Sequence, residues 1–333
     1  MTGGGPGKGV AVFFTGGTSG MRPLEGAPGV APAHAFDRLM ADLSSVVREA
    51  DLRGVQWADI PSPHMTPMDM FRLAKDVEAV LAEPGIVGAV VIHGTDVMEE
   101  SSFMADLVID SPRPVVFTGA MRYLGELGYD GLRNLLFGIK AAVASRLNGL
   151  GSFVLMADRL FSAREVTKVH STGIDPFDSP GLGPMGFVAE DGVHVVRGPS
   201  KRLCLKPERI EPNVDLIKFS PGMDARFIRA SRAGGAAGLV IEGFGAGNIP
   251  PGVVPEIEAV VQEGRPVVLT TRCLKGGVRP IYGYPGGAAD LEQRGVILGG
   301  RFPGQRARIL LTAALGLTRD IERIRRIFQE ATE

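Results

Sequence analysis

Short apolar runs alternate with amphipathic stretches along the first half of the chain. Uninterrupted apolar runs of five to seven residues are typical of strands that are buried on both faces of a parallel sheet. Apolar residues at helical spacing separate these runs, and Thr66-Pro67 provides a helix start with a threonine cap and a proline in the first turn. The pattern predicts strands over residues 10–14, 54–60, 86–92, 115–119 and 151–157, and helices over residues 36–49, 67–81 and 130–144. This alternation indicates βαβ units in a doubly wound sheet.

The pattern changes between residues 196 and 213, where the chain is basic and punctuated by proline. Such a stretch without a sustained period is typical of a connector between domains. Beyond it the alternation resumes on a smaller scale. Strands are predicted over residues 214–219, 238–242 and 266–271, and helices over residues 225–233, 253–263 and 305–315. We therefore predict an α/β protein with a larger N-terminal domain (1–195) built on a mostly parallel sheet, a linker (196–213) and a smaller C-terminal α/β domain (214–333).

Composition narrows the range of functions. The chain has 333 residues, 44% of them hydrophobic and 22% charged, and its net charge of −1 gives no footprint for nucleic acid or an anionic membrane. Its two cysteines, Cys204 and Cys273, are far apart and have no C-x-x-C or C-x-x-H partner, which argues against a disulfide framework or a zinc site. No apolar leader opens the sequence. We therefore expect a protein of the reducing cytoplasm.

A glycine turn with two threonines follows the first predicted strand. The sequence VAVFFTGGTSG (10–20) places Thr15 and Thr18 at the carboxyl end of that strand, where open α/β sheets bind ligands. The spacing matches neither dinucleotide-binding nor P-loop glycine patterns. Hydroxyls in place of a P-loop lysine point to nucleophilic chemistry. Taken alone, the segment fits an ordinary turn with a capping threonine better.

Two further polar turns follow predicted strands, at Ser62 and at Thr95-Asp96. Strand ends of a parallel sheet lie on one edge, so these side chains can converge on one crevice with Thr18. Asp96 and a lysine are the candidates to orient and deprotonate a threonine there. Two simpler interpretations stay open: Asp96 and Glu99 form a D-x-x-E helix-capping pattern, and His93 fits a satisfied core histidine.

Several separated motifs resemble the bacterial-type L-asparaginase family, and the likeness extends over nearly the whole chain. The motifs are TGGT (15–18), HGTDVMEES (93–101), GAMR (119–122), REVTK (164–168), GFGAGN (243–248) and RARILLTAALG (306–316). Details such as TSGM after the glycine turn are more similar to the cytoplasmic type I branch than to the secreted one. The resemblance implies hydrolysis of L-asparagine to L-aspartate and ammonia.

The resemblance also implies roles for individual residues. Thr18 corresponds to the nucleophile that forms an acyl-enzyme, and Thr95, Asp96 and Lys168 correspond to a second set in which the lysine helps proton movement. Without the resemblance, Lys168 would be interpreted as a surface lysine. Ser62 and Asp96 correspond to positions that hold the α-carboxylate and α-amino groups of the substrate.

Other positions complete the implied site. The backbone at Thr95 and around Ala120 would supply oxyanion and amide contacts, and Asn248, less surely Tyr284, would complete the site of a neighbouring subunit. The family arrangement thus implies a homodimer or homotetramer that binds a small amino-acid amide. It implies no metal or organic cofactor, and no nucleic-acid or membrane partner.

The chain departs from the family pattern near the substrate. Val30 stands where the family has a tyrosine on a mobile lid, here within the proline- and glycine-rich residues 21–35, and Tyr123 stands where proline is expected. Tyr123 and Tyr129 are candidates to replace the missing hydroxyl. Two alternatives therefore accompany asparagine hydrolysis: hydrolysis of another amide, such as glutamine or an N-substituted amino-acid amide, and a catalytically weakened asparagine-binding sensor.

Overall fold

The structure is a computed structural model, and it describes residues 8–23, 26, 28–32 and 36–332. The chain divides into two compact units, an N-terminal unit that ends at Cys204 and a C-terminal unit that begins at Leu205. Residues 196–213, proposed above as a linker, span this division. Part of that stretch packs on the N-terminal unit, where Arg202 Nη2 donates to the carbonyl of Asp106 at 3.4 Å. The exact linker bounds stay a prediction.

The N-terminal unit contains short and long strands in alternation with helices. The strands are β1 (Gly9–Phe14), β2 (Met21–Pro23), β3 (Val30–Pro32), β4 (Asp51–Gln56), β5 (Ile86–Ile92), β6 (Val115–Thr118), β7 (Ser152–Met156), β8 (Arg159–Ser162), β9 (Thr167–Lys168), β10 (Phe177–Asp178), β11 (Gly186–Ala189) and β12 (Gly192–Val195). The helices are α1 (Phe36–Val46), α2 (Pro67–Leu81), α3 (Met98–Val108) and α4 (Gly131–Ala142), with 3₁₀ turns at Thr18–Gly20, Ser62–His64, Thr95–Val97 and Ser145–Leu147.

Within the described residues, eight of these strands form one sheet in the order β12-β11-β8-β7-β6-β5-β1-β4. The pairs from β4 to β7 are parallel, whereas β7, β8, β11 and β12 pair antiparallel. Strands β5, β6 and β7 are apolar almost throughout because helices cover both faces of the sheet there. The carboxyl ends of β1, β5 and β6 therefore meet at one edge, as the alternation predicted.

The predicted start of α2 is confirmed in detail. The hydroxyl of Thr66 accepts from the backbone N–H of Asp69 at 3.2 Å, and the Asp69 carboxylate accepts from the N–H of Thr66 at 3.0 Å. Pro67 occupies the first turn, where a missing N–H costs nothing. This reciprocal cap fixes the direction in which the chain leaves Ser62 and enters the helix.

The strand predicted over residues 54–60 is placed wrongly by three to four residues, since β4 runs over Asp51–Gln56. After Gln56 the chain no longer follows the ladder, because the N–H groups of Trp57 and Ala58 both donate to the carbonyl of Phe14, at 2.9 and 3.1 Å. Residues 57–61 thus cross the end of β1. That crossing brings Ser62 to the edge where the site lies.

The C-terminal unit is a smaller α/β layer. Its strands are β13 (Val214–Lys218), β14 (Gly238–Gly243), β15 (Val267–Thr271) and β16 (Ile297–Leu298), which form a parallel sheet in that order. Its helices are α5 (Arg226–Ala233), α6 (Val254–Gln262), α7 (Ala288–Gln293), α8 (Gly304–Leu317) and α9 (Ile321–Thr332), with a 3₁₀ turn at Pro251–Val253. The predicted two-part α/β fold with a larger, mostly parallel N-terminal sheet is confirmed.

Candidate active site

Three turns at the carboxyl edge of the large sheet touch one another through glycine backbone. A side chain at Gly17 would place its Cβ 2.5 Å from the Cα of Gly94, and Gly17 has a φ of 88°, which favours glycine. Gly16 lies equally close to Ile60, because a Cβ there would lie 2.5 Å from the Ile60 nitrogen. The residues that follow, Thr18 and Thr95, therefore start from adjacent points of the backbone.

Ser62, in the third turn, lies against the Thr95 turn. A Cβ on Gly94 would lie 2.6 Å from the Ser62 hydroxyl oxygen, so only glycine permits this approach. That hydroxyl also accepts from the backbone N–H of Asp96 at 3.3 Å, and Ser62 is buried. The structure thus brings Ser62, Thr95 and Asp96 together, as their positions after successive predicted strands indicated.

Lys168 reaches the same turn from a distant part of the chain. It ends the two-residue strand β9, which pairs antiparallel with β10. Its ammonium nitrogen donates to Thr95 Oγ1 at 2.8 Å and to Asp96 Oδ1 at 2.7 Å. The Lys168 side chain is 13% exposed, whereas that of Asp96 is 59% exposed. A largely buried amine therefore lies between a hydroxyl and a carboxylate that faces outward.

Glu99 anchors the segment that carries Lys168, and its role was not predicted. It is buried in the first turn of α3. One carboxylate oxygen accepts from the Thr167 hydroxyl at 2.7 Å and the other from the backbone N–H of Lys168 at 3.2 Å. The D-x-x-E pattern points to this residue, but as a helix cap, and that interpretation is wrong. Val97 occupies the N-cap position of α3 without a side-chain cap, and Asp96 binds Lys168 instead.

The turn after β6 is held by two side chains from the start of α4. The Asp130 carboxylate accepts from the backbone N–H groups of Met121 and Arg122 at 3.1 and 3.0 Å. The Asn134 amide donates to the carbonyl of Gly119 at 3.0 Å. Ala120 is buried between these anchors. The backbone around Ala120 is therefore rigidly placed at the same sheet edge.

The two threonines of the first turn differ. Thr15 is buried, and its hydroxyl donates to the carbonyl of Ile92 at 3.0 Å, which joins β1 to β5. Thr18 is half-buried, and its hydroxyl has no hydrogen bond with any other residue that the structure describes. Thr15 therefore has a structural role, whereas the described residues give the Thr18 hydroxyl none.

His93, interpreted from the sequence as a satisfied core histidine, is only half satisfied. It is 1% exposed, and its Nδ1 lies 2.7 Å from the carbonyl oxygen of Gly94. Its Nε2 is buried and has no hydrogen-bond partner in the described part of the chain. Burial lowers the pKa of His93 to about 4, so the ring is neutral at ordinary pH.

The substituted lid segment is described in part. Val30 is 37% exposed in β3, which pairs with β2 just after the Thr18 turn. Residues 24, 25, 27 and 33–35 of the predicted lid lie outside the described residues. Burial, together with the nearby carboxylates of Asp130 and Asp42, raises the pKa of Tyr129 to about 12. Tyr129 is therefore poorly suited to relay a proton.

Asn248 belongs to the C-terminal unit. It closes a tight turn after β14, in which its carbonyl accepts from the N–H of Phe244 at 2.7 Å and its own N–H donates back to Phe244 at 2.8 Å. Its side-chain oxygen Oδ1 is buried without a hydrogen-bond partner among the described residues. Tyr284 is exposed in the same unit, beside Tyr282 with ring centroids 5.4 Å apart.

The geometry of the N-terminal unit suits acyl transfer. It presents two threonine hydroxyls on adjacent turns, one of them in contact with a lysine amine. A hydroxyl nucleophile, a proton acceptor beside a second hydroxyl and fixed backbone amides are the requirements for amide hydrolysis through an acyl-enzyme. Fold and site together therefore define an α/β enzyme of the hydrolase class.

Comparisons with known proteins define the family. Residues 9–201 match the family model "Asparaginase, N-terminal", and residues 213–328 match "Glutaminase/Asparaginase C-terminal domain". An L-asparaginase from Bacillus licheniformis is 35% identical over 92% of this chain and 95% of its own length. A probable L-asparaginase from Deinococcus radiodurans is 35% identical over 96% of this chain and 97% of its own.

A solved structure agrees. The probable cytoplasmic L-asparaginase from Campylobacter jejuni superposes with a TM-score of 0.85 at 29% identity, covering 97% of this chain and 99% of that one. The chain therefore belongs to the asparaginase family, and the resemblance carried by the motifs is confirmed. None of the helices that the structure describes is long and apolar enough to span a membrane.

Proposed function

We propose that this protein hydrolyses the side-chain amide of L-asparagine to L-aspartate and ammonia through an acyl ester on Thr18. The observation that carries the proposal is the position of Lys168 Nζ, 2.8 Å from Thr95 Oγ1 and 2.7 Å from Asp96 Oδ1. A largely buried amine in contact with a hydroxyl is a device for moving protons. The Thr95 turn, which the amine contacts, is packed directly against the Thr18 turn through Gly94 and Gly17.

The reaction has two halves. In the first, Thr18 Oγ1 attacks the side-chain amide carbon, the C–N bond breaks, and the threonine proton reaches the departing nitrogen, which leaves as ammonia. In the second, water attacks the Thr18 ester, the C–O bond to the threonine breaks, and aspartate leaves as Thr18 regains its proton. Thr95 and Lys168 relay protons in this scheme, supported by their direct hydrogen bond.

The substrate's α-groups would bind on the opposite side of Asp96 from Lys168. Lys168 uses only Oδ1 of Asp96, so Oδ2 can accept from the α-ammonium. The Ser62 hydroxyl, 3.3 Å from the Asp96 nitrogen, would donate to the α-carboxylate. The backbone at Ala120, fixed through Asp130, would bind the amide. An ion pair to the ammonium selects amino acids over simple amides.

The assembly we propose is a homodimer or homotetramer whose sites take Asn248 from a neighbouring subunit. The match of residues 213–328 to the family model and the position of Asn248 in the GFGAGN motif (243–248) support this. We place the protein in the cytoplasm, in line with the name of the Campylobacter jejuni structure.

A second candidate substrate is glutamine or an N-substituted amino-acid amide. Val30 on the strand after the Thr18 turn is smaller and less polar than a tyrosine, which leaves room for a longer substrate. The family model that matches the C-terminal unit also includes glutaminases in its description.

The test is ammonia release from a panel of amino-acid amides, repeated with hydroxylamine present. Hydroxylamine intercepts an acyl-enzyme, so aspartyl hydroxamate should form in competition with aspartate, and Thr18→Ala should form neither. Faster release from glutamine than from asparagine would favour the second substrate. Binding of asparagine without release from any amide would leave the protein as a sensor and end the hydrolase proposal.

A further inference from the structure

His93 is a buried residue that directly follows β5 and precedes the Thr95 turn. Its backbone N–H donates to the carbonyl of Thr118 at 2.8 Å, which ties the end of β5 to the end of β6. A Cβ on Gly119 would lie 2.3 Å from the His93 carbonyl oxygen, so the turn that leads to Ala120 lies directly against it. The His93 ring lies 6.1 Å from that of Phe117, centroid to centroid. The ends of β5 and β6 and the turn that leads to Ala120 thus all lie close to this residue.

The hydrogen bond of the ring fixes its protonation. A carbonyl oxygen can only accept, so Nδ1, 2.7 Å from the oxygen of Gly94, carries the proton. The lowered pKa, about 4, keeps the other nitrogen, Nε2, unprotonated. Nε2 is then a buried acceptor that no described residue satisfies. His93 is therefore a neutral donor with one defined target.

Stability alone gives a histidine little advantage over a leucine here. A leucine of similar volume would remove the unsatisfied Nε2, but it would leave the carbonyl of buried Gly94 without its donor, so one penalty would replace another. What the leucine could not supply is the donor to Gly94. The value of His93 therefore lies in what that donor does to the Gly94–Thr95 peptide.

The orientation of that peptide decides where the Thr95 N–H points. No cis peptide bond occurs in the described residues, so the carbonyl of Gly94 and the N–H of Thr95 point in opposite directions. A carbonyl held toward the buried ring sends the N–H away from it. That N–H has no acceptor among the described residues, and Gly94 itself is packed against Gly17 and Ser62.

We propose that His93 is a positioning residue, which holds the Gly94–Thr95 peptide so that the Thr95 N–H meets the amide oxygen of the substrate as it becomes an oxyanion. The inference rests on the proposed amide hydrolysis. His93 itself touches neither substrate nor nucleophile and transfers no proton. An amide that already points at the developing charge stabilises the transition state without reorganisation.

The test compares three variants of the full-length protein with L-asparagine as substrate. His93→Leu removes the donor at nearly constant volume, and kcat should fall by about 10²-fold while KM changes less than about threefold. Its melting temperature should stay within about 3 °C of the parent, since the loss of one unsatisfied acceptor, Nε2, offsets the loss of the donor to the Gly94 carbonyl. His93→Asn keeps a donor at the distance of Nδ1 from Cβ and should recover most of kcat.

Thr270→Val is the matched control, because Thr270 is a buried strand residue whose hydroxyl donates to the carbonyl of Ile241 at 3.1 Å in the C-terminal unit. It should lower the melting temperature and leave kcat unchanged. The pH profile of kcat in the asparagine variant should keep its shape, since His93 transfers no proton. Loss of one limb of that profile would instead make His93 an acid or base.

Several results would overturn the inference. Parental kcat in a folded His93→Leu protein would do so, as would an asparagine variant no better than the leucine variant, or a change in KM alone. Should leucine prevent folding, His93→Met is the donor-free variant, and the same comparison applies. A parent protein that releases ammonia from no amide would count against the proposed function instead, so the two failures are distinguishable.

Discussion

The two hydroxyl-bearing turns of the site differ in how many hydrogen bonds hold their side chains. At the Thr95 turn the hydroxyl, the neighbouring carboxylate and the lysine between them form hydrogen bonds of 2.7 to 2.8 Å, and Glu99 fixes the backbone of Lys168. At the Thr18 turn the hydroxyl has no partner among the described residues. Among the described residues, the groups that we propose as the proton relay are thus held by the protein itself, whereas the proposed nucleophile would need substrate to complete its surroundings. Catalytic hydrogen bonds commonly tighten only when the ligand is bound.

The largest effect should follow from removing the unpartnered hydroxyl. Thr18→Ala should lower turnover by about a thousandfold or more, which is about 4 kcal/mol of transition-state stabilisation. The melting temperature should hardly change, because no hydrogen bond is lost. Thr18→Ser, which keeps a hydroxyl, serves as the control and should retain part of the activity. Near-parental ammonia release from a folded Thr18→Ala protein would remove Thr18 from the mechanism.

A loss of similar size should follow at the Thr95 turn, where the effects of two substitutions on kcat should not multiply. Thr95→Ala and Lys168→Met should each lower kcat by about a thousandfold. Because the two groups act through one hydrogen bond, the double variant should be less than about tenfold worse than either alone. Losses that multiply in the double variant would show that the hydroxyl and the amine act independently.

The buried His93 should make the stability of the protein depend on pH. The pKa of folded His93, about 4, lies below its ordinary value of 6.5, so as pH falls the unfolded chain binds a proton first. The free energy of unfolding should therefore fall between pH 6.5 and pH 4, by about 3 kcal/mol from this group. Urea unfolding of the parent and of His93→Leu over this range measures it, and equal slopes for both proteins would contradict it.

Sharing of sites between subunits should be visible by mixing two defective proteins. Lys168→Met and Asn248→Ala damage different halves of the proposed composite site, so a hybrid dimer would contain one intact site. After unfolding and joint refolding, activity should rise to about a quarter of the parental value, because about half of the dimers are hybrids with one good site each. A mixture no better than the average of its parents, or a fully active monomer by light scattering, would refute the assembly.

The smallest effect is expected at the lid. Val30→Tyr would add the hydroxyl that the family pattern has on this segment, and asparagine turnover should rise by about tenfold if the parent is slow because that group is missing. Val30→Phe is the control, since it adds the ring without the hydroxyl. If the parent already turns asparagine over at tens per second and the tyrosine gives no gain, the lid hydroxyl is dispensable here.

The edge location of the site could be predicted because it follows from strand direction. Apolar runs identified β1, β5 and β6, and parallel pairing then required Thr18, Thr95 and the residues around Ala120 to share one edge. The position of Ser62 was predicted correctly although that of β4 was not, because the crossing after Gln56 brings Ser62 to the same edge.

What the sequence did not reveal depends on contacts between residues far apart. Strands β8 to β12 are four residues or shorter, too short to show a period. Glu99 fits a local capping rule, yet its partners lie 68 and 69 residues away. Helix α9 was not predicted, although its apolar residues do recur at helical spacing. Short sequence patterns indicate hydrogen bonds between residues close in sequence, whereas the hydrogen bonds of Lys168 and Glu99 join residues 68 to 73 positions apart.

The hydrogen bond between Lys168 and Asp96 joins residues 72 positions apart, and this separation bears on how the enzyme is made. During synthesis both hydroxyl turns leave the ribosome well before the amine, and β9 gains its strand partner only when Phe177 has followed. A contact between residues so far apart in sequence forms late in folding, because the long loop between them must first be closed at a cost in entropy. On the proposed mechanism, a nascent chain or one truncated before Lys168 would hold the nucleophile without its proton relay, and hydrolysis should begin only in a chain whose N-terminal unit has been completed.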